Sequence, residues 1–175
     1  MYHFIKSIYR FFTGLQRTTA RSYWTWRAKM ACHSYTPPLS AAFQCKFSKN
    51  TYLGKNTHFN GFEITGEGKI TIGNNFHCGK NCKIISSFHN YNGTKLPYDE
   101  TNVHRDVTIE DNVWLGNDII ILGGVTIGEG AIIQAGSVVA KTVPKLAIAG
   151  GHPAIAFKYR DKNHYYTLKK QGLFF

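Results

Sequence analysis

The sequence predicts an all-β chain wound into a parallel β-helix, and three observations predict it. Aliphatic residues recur at every sixth position from 109 onward: Ile109, Leu115, Ile121, Ile127, Ile133 and Val139. Four places after each stands a small or branched residue: Val113, Ile119, Val125, Ala131, Ser137 and Val143. Glycine follows the aliphatic residue in two of these units, as Gly116 and Gly128. A period of six is neither the helical 3.6 nor the strand period of two. It arises when each short strand is followed by a corner, and fixed self-similarity of this kind marks a solenoid. Three units close one triangular coil, so residues eighteen apart should stack: Ile109 on Ile127, Leu115 on Ile133, Ile121 on Val139. Each backbone group then finds its partner one coil away, about 4.8 Å distant.

Taken in order, residues 1–31 read as helix. Phe4, Ile5, Ile8, Phe11, Phe12 and Leu15 share one face, and Lys6, Arg10 and Arg17 lie off it. Tyr23, Trp24 and Trp26 follow among Arg21, Arg27 and Lys29. Such a basic, aromatic helix can lie in a membrane interface or can cover an end of the solenoid. Pro37 and Pro38 end it. The six-beat then runs through Phe47, Leu53 and Phe59, slips once near Ile64–Ile70, and resumes at Ile72, Cys78 and Ile84. Cys78 and Cys82 fall inward and read as small core residues. From Ile84 to Ile109 the beat disappears in a polar stretch rich in turn formers, Asn90, Asn92, Gly93 and Pro97. Long excursions from a regular scaffold are commonly functional. After Gly150-Gly151-His152-Pro153, a turn, Ala154–Gln171 reads as a second helix. The expected organisation is a basic helical segment (1–38), the β-helix (39–149, with an excursion loop at 86–106) and a C-terminal turn and helix (150–175).

The 175 residues suffice for one domain with a real core. Charge is uneven: no Asp or Glu precedes Glu63 while nine Lys and Arg do, so +9 of the net +11 falls in positions 1–62. That asymmetry points to an anionic partner or surface rather than to the fold. The four cysteines form no regular framework, no secretory signal is recognised, and no stretch is apolar enough to span a bilayer. A reducing cytoplasm is the expected compartment, with peripheral contact at the inner face of a membrane.

Several stretches together resemble the hexapeptide-repeat acyltransferases, and among them the sugar O-acetyltransferases of the galactoside and maltose type. They are Ile70-Thr-Ile-Gly-Asn-Asn, His89 in its loop, Val113-Trp114-Leu115-Gly116, Gly124-Val-Thr-Ile-Gly-Glu-Gly, Ala135-Gly-Ser-Val-Val-Ala-Lys141, Gly151-His-Pro153 and Asp161-Lys-Asn-His-Tyr-Tyr166. The resemblance covers about residues 47–166. It implies a left-handed coil, where ordinary parallel crossovers are right-handed, and a homotrimer with acetyl-CoA lying in the groove between neighbouring coils. It also implies direct transfer to a sugar hydroxyl with a loop histidine as general base. Imidazole suits that task at neutral pH, the rate comes largely from holding both substrates together, and backbone N–H groups would meet the developing oxyanion.

The resemblance assigns the base to His89; without it, a lone loop histidine reads as a solvated side chain. His104 is the runner-up, and a backbone carbonyl, Asp99, Glu100 or Asp106 could orient the ring. Trp114 points outward, beside the pantetheine arm and the acceptor. Gly116 and Asn117 follow it, Ala135 and Gly136 let backbone approach pantetheine closely, Lys141 and Lys158 match basic positions near the CoA phosphates, and Arg160 with Lys158 would carry phosphate binding where Ile155 departs from the pattern. Ile155 stands where relatives carry Lys or Arg. Asn60 and Tyr91 join Trp114 as acceptor contacts. An N-acetyltransferase of an amino sugar shares every one of these features. A zinc enzyme of the same fold needs a histidine pair five apart; the gaps among His77, His89 and His104 are twelve and fifteen, so no metal is expected. No nucleic-acid motif accompanies the basic front segment. The acceptor expected is a glycan of capsule, exopolysaccharide or lipopolysaccharide, or its sugar precursor.

Overall fold

The computed structural model describes residues 2–175, with the side chains of residue 6 and of residues 17–175. Helix α1 (Tyr2–Ala31) leads into a three-walled coil of short parallel strands. The first wall stacks Ser34–Tyr35, Thr51–Leu53, Ile70–Ile72, Val107–Ile109 and Thr126–Ile127. The second stacks Leu39–Ala41, Thr57–Phe59, His77–Cys78, Trp114–Leu115, Ile132–Ile133 and Ala147–Gly150. The third stacks Cys45–Lys46, Phe62–Thr65, Cys82–Ile85, Ile120–Leu122 and Val138–Val139. The eighteen-residue register is met: Ile109 pairs with Ile127, Leu115 with Ile133 and Ile121 with Val139. All six of these side chains are fully buried. The apolar interval thus fixes which side chain of each strand faces the axis, and the backbone closes between coils.

The corners explain what the interval leaves open. Asn56, Asn75 and Asn112 take left-handed conformations at successive turns of one edge (φ 58, 53 and 61°). Asparagine tolerates that region better than other side chains, and here the amides bond up the edge, Asn56 to Asn75 at 3.0 Å and Asn75 to Asn112 at 2.8 Å. The ladder ends on Tyr165 of α2 (Lys162–Lys170), whose hydroxyl accepts from Asn112 (2.7 Å) and donates to Glu129 (2.9 Å). The register slip also has a cause. Phe59 to Ile64 spans five positions and Ile64 to Ile72 eight, and the surplus is the wide corner Gly66–Gly68. A Cβ on Gly66 would lie 2.3 Å from Ser87 Oγ, and one on Gly68 would lie 2.3 Å from the Arg105 carbonyl oxygen. The slip is the seat of the excursion.

Three expectations are corrected. Pairing begins at Ser34–Tyr35, against Tyr52 and Leu53, ahead of the boundary at 39. The stretch 86–106 is not irregular throughout: Ser87–His89 pairs antiparallel with Asn102–His104, so it is a hairpin standing on the coil. Residues 155–159 are a strand rather than helix, returning antiparallel along Ala147–Gly150 with Ala156 packed on the core and Phe157 facing out. The face of α1 read from Phe4, Ile5, Ile8, Phe11, Phe12 and Leu15 lies outside the residues whose side chains are described.

Candidate active site

The hairpin tip is held by one carboxylate. Asp99, 8% exposed, accepts from the Thr94 N–H (2.9 Å), the Thr101 N–H (2.9 Å) and the Thr101 hydroxyl (2.5 Å). Those bonds, the Thr101 hydroxyl foremost, hold its carboxyl below the usual range. Asp106 is spent on the Lys69 N–H (2.8 Å), and Glu100 pairs with Lys95. None of the three acids named as orienting groups reaches His89. Its ring instead lies flat against Tyr98, centroids 4.0 Å apart and planes 7° off parallel. His89 is exposed, and among the described residues neither ring nitrogen has a hydrogen bond.

His104 differs. Ser87 Oγ accepts from the Glu67 N–H (2.8 Å) and lies 2.6 Å from His104 Nδ1. Its Nε2 faces Glu67 Oε2 at 3.8 Å. His104 ties the hairpin base to the wide corner, whereas the His89 ring makes no such tie. His77 is half-buried. It stacks on His58 at 4.4 Å with the Phe175 ring at 5.1 Å, and burial lowers the pKa of both imidazoles.

On the outer side of the second wall, Trp114 sits between His77 and Ile132 and is 55% exposed. It borders two hollows of about 400 Å³ each. The first is floored by Gly116, Asn117 and Ala135 and walled by Trp114, Ile132 and Phe157. Four of the expected cofactor contacts therefore converge, and Phe157 joins them. Gly116 has a packing reason, since its Cβ would meet the Ala135 nitrogen at 2.6 Å. Gly136 (φ 74°) opens onto clear space beside it. Asn117 is partly committed: its Oδ1 accepts the Lys80 N–H at 2.9 Å, while its amide donors have no partner among the described residues.

The basic residues do not converge. Lys158 pairs with Ile148 on the second wall near this hollow, whereas Lys141 follows Val138–Val139 on the edge between third and first walls. Arg160 lines the other hollow with His77 and Tyr165; its guanidinium lies over the Tyr165 ring and donates to the Gly130 carbonyl (3.3 Å). It anchors α2. Asn60 donates to the Cys78 carbonyl (2.9 Å) and lines a cavity on the third wall with Phe43 and Lys80. Tyr91 is exposed on the hairpin, 6.2 Å from Phe88.

The triangular coil of stacked parallel strands matches the left-handed parallel β-helix of solved hexapeptide acetyltransferases. Residues 106–141 match the family model described as bacterial transferase hexapeptide (six repeats), so the chain carries that family's repeat over this stretch. The galactoside O-acetyltransferase of Escherichia coli is 31% identical over 124 residues, 69% of this chain and 61% of that enzyme. That of Lactococcus lactis subsp. lactis is 35% identical over 121 residues, 68% and 56%. The chain thus spans less than two thirds of the length of the curated relatives it matches. A maltose O-acetyltransferase from Clostridium difficile superposes with a TM-score of 0.60 at 27% identity, over 75% of this chain and 70% of that one. A hexapeptide-repeat acetyltransferase from Vibrio cholerae, solved with acetyl coenzyme A, gives 0.53 at 26% identity, over 74% and 70%.

Proposed function

We propose that the chain is an acetyl-CoA-dependent O-acetyltransferase acting on a glycan hydroxyl or its sugar precursor, as a homotrimer, with His89 as general base. The observation that carries this reading is the pairing of an open imidazole with an open groove. His89 is an exposed ring without a hydrogen-bond partner among the described residues, held flat by Tyr98 on a hairpin stapled through Asp99. The groove at Trp114, Gly116 and Ala135 has an apolar wall and a backbone floor, which suits a pantetheine arm.

The two lie on different parts of one chain. The hairpin leaves the edge between third and first walls; the groove occupies the second wall and its edge with the third. A threefold arrangement sets one chain's hairpin against the next chain's groove, a heterologous contact that closes on itself. The thioester supplies the acetyl group. His89 takes the proton from the acceptor hydroxyl as that oxygen attacks, Tyr98 keeps the ring in plane, and Trp114 and Phe157 exclude water from the arm. Lys158, and Lys141 from the neighbouring chain, would meet the phosphates as charge-assisted contacts. An acetyl-transfer assay across hydroxyl and amine sugars tests the reading. Turnover on hydroxyl acceptors that disappears in His89→Ala, with trimer and CoA binding retained, supports it. Near-normal turnover of that variant, or turnover on amines alone, contradicts it.

A further inference from the structure

Residues 23–30 of helix α1 divide into a seated face and an exposed one. Thr25 Oγ1 accepts the Ala41 N–H (3.0 Å), Ala28 is fully buried, Trp24 packs on the core, and Lys49 donates to the Met30 carbonyl (3.2 Å). Residues 24, 25 and 28 lie on one face of a 3.6-residue helix, and that face meets the coil. Tyr23, Trp26 and Met30 form a stripe on the opposite side, 50%, 56% and 62% exposed. Tyr23 and Trp26 stand 6.3 Å apart with no coil residue over them. In sequence the same spacing of three and four runs back through Thr19 to Leu15, Phe12, Ile8 and Ile5.

The charge of α1 narrows the occupant. It carries Lys6, Arg10, Arg17, Arg21, Arg27 and Lys29 and no acidic residue. No described helix is long and apolar enough to cross a membrane. A basic amphipathic helix with Trp and Tyr at its apolar border lies in the headgroup region of a bilayer. We propose that the Tyr23–Trp26–Met30 stripe of α1 docks on an anionic lipid bilayer and holds the coil at its surface. Arg17 and Arg21 line a hollow with Ala42, Phe43 and Asn60, and Lys29 lies over the Tyr35 ring, so the charge beside the stripe is Arg27, one turn from both Tyr23 and Met30. A soluble polyanion would give Tyr23, Trp26 and Met30 nothing apolar to enter. The inference does not rest on the acetyl-transfer reading.

Co-sedimentation of the full chain with vesicles of phosphatidylcholine, with and without phosphatidylglycerol, tests it, alongside light scattering for oligomeric state. The chain should sediment with the anionic vesicles and be released by salt. Tyr23→Ser with Trp26→Ser should lower the partition about tenfold, since the apolar anchor is lost. Arg27→Gln should lower it about fivefold, the share of one basic residue at a charged surface, and Tyr159→Ser should not change it. A chain that stays in the supernatant overturns the proposal. So does equal sedimentation with neutral vesicles, or retention on heparin without vesicle binding. A Tyr23/Trp26 variant that changes oligomeric state also overturns it, because the stripe is then a protein interface.

Discussion

The second wall and the excursion hairpin solve the same problem in opposite ways. On the wall, each inward side chain is buried by its copies one coil away, as Leu115 is between Cys78 and Ile133, and no single residue organises its neighbours. On the hairpin there is no copy to stack on. Asp99 satisfies three donors at once, and Tyr98 is all that steadies His89. Repetition makes the wall rigid and redundant. Singular contacts make the hairpin precise and easily broken, so stability should reside in one region and activity in the other.

Replacing the base should separate the two most widely. His89→Ala should lower kcat by about 10²–10⁴-fold, the range for loss of a general base, while the melting temperature stays at the parent value. A large thermal shift would mean the hairpin carries the fold as well. On the wall, Ile121→Ala deletes a fully buried side chain and should cost about 2–5 kcal/mol in denaturant titration, with kcat per folded molecule unchanged. Tyr98→Ala should reduce kcat about tenfold through misplacement of the ring, and Tyr98→Phe, which keeps the stacking face, should restore it. Equal losses in both variants would assign the effect to the hydroxyl instead.

The smallest effect sits where wall and tail meet. Burial holds the His58 and His77 imidazoles below their usual pKa. The unfolded chain then takes up protons first, so their contribution to stability is full above about pH 6.5 and is lost as pH falls through that value. Melting temperature should drop by a few degrees toward about pH 5, and His77→Phe should shrink the drop. A flat profile in the parent protein would contradict the stacked arrangement.

The same contrast governs what the sequence discloses. Stacking is written as an interval, so the inward residues from Ile109 to Val139 could be read one by one, and so could the slip near Ile64. The reason for the slip could not, because it is a seat for Ser87 and Arg105, twenty and more residues away. The Tyr98–His89 stack joins positions nine apart across a loop whose path is set by Asp99, and no periodicity records that. Phe157 was hidden because residues 155–159 lack turn formers and continue into a true helix, so the strand was read as part of it. Arg160 looked like a phosphate ligand by position, and its partners Tyr165 and Gly130 emerged only from the docking of α2.

Co-expression of two inactive chains tests the division of labour most directly. His89→Ala removes the base, and Ala135→Trp fills the exposed groove. If each site joins the hairpin of one chain to the groove of the next, mixed trimers regain acetyl transfer that neither homotrimer possesses. Mixed trimers as inactive as their parents would show that both halves must come from one chain, and the account would fail.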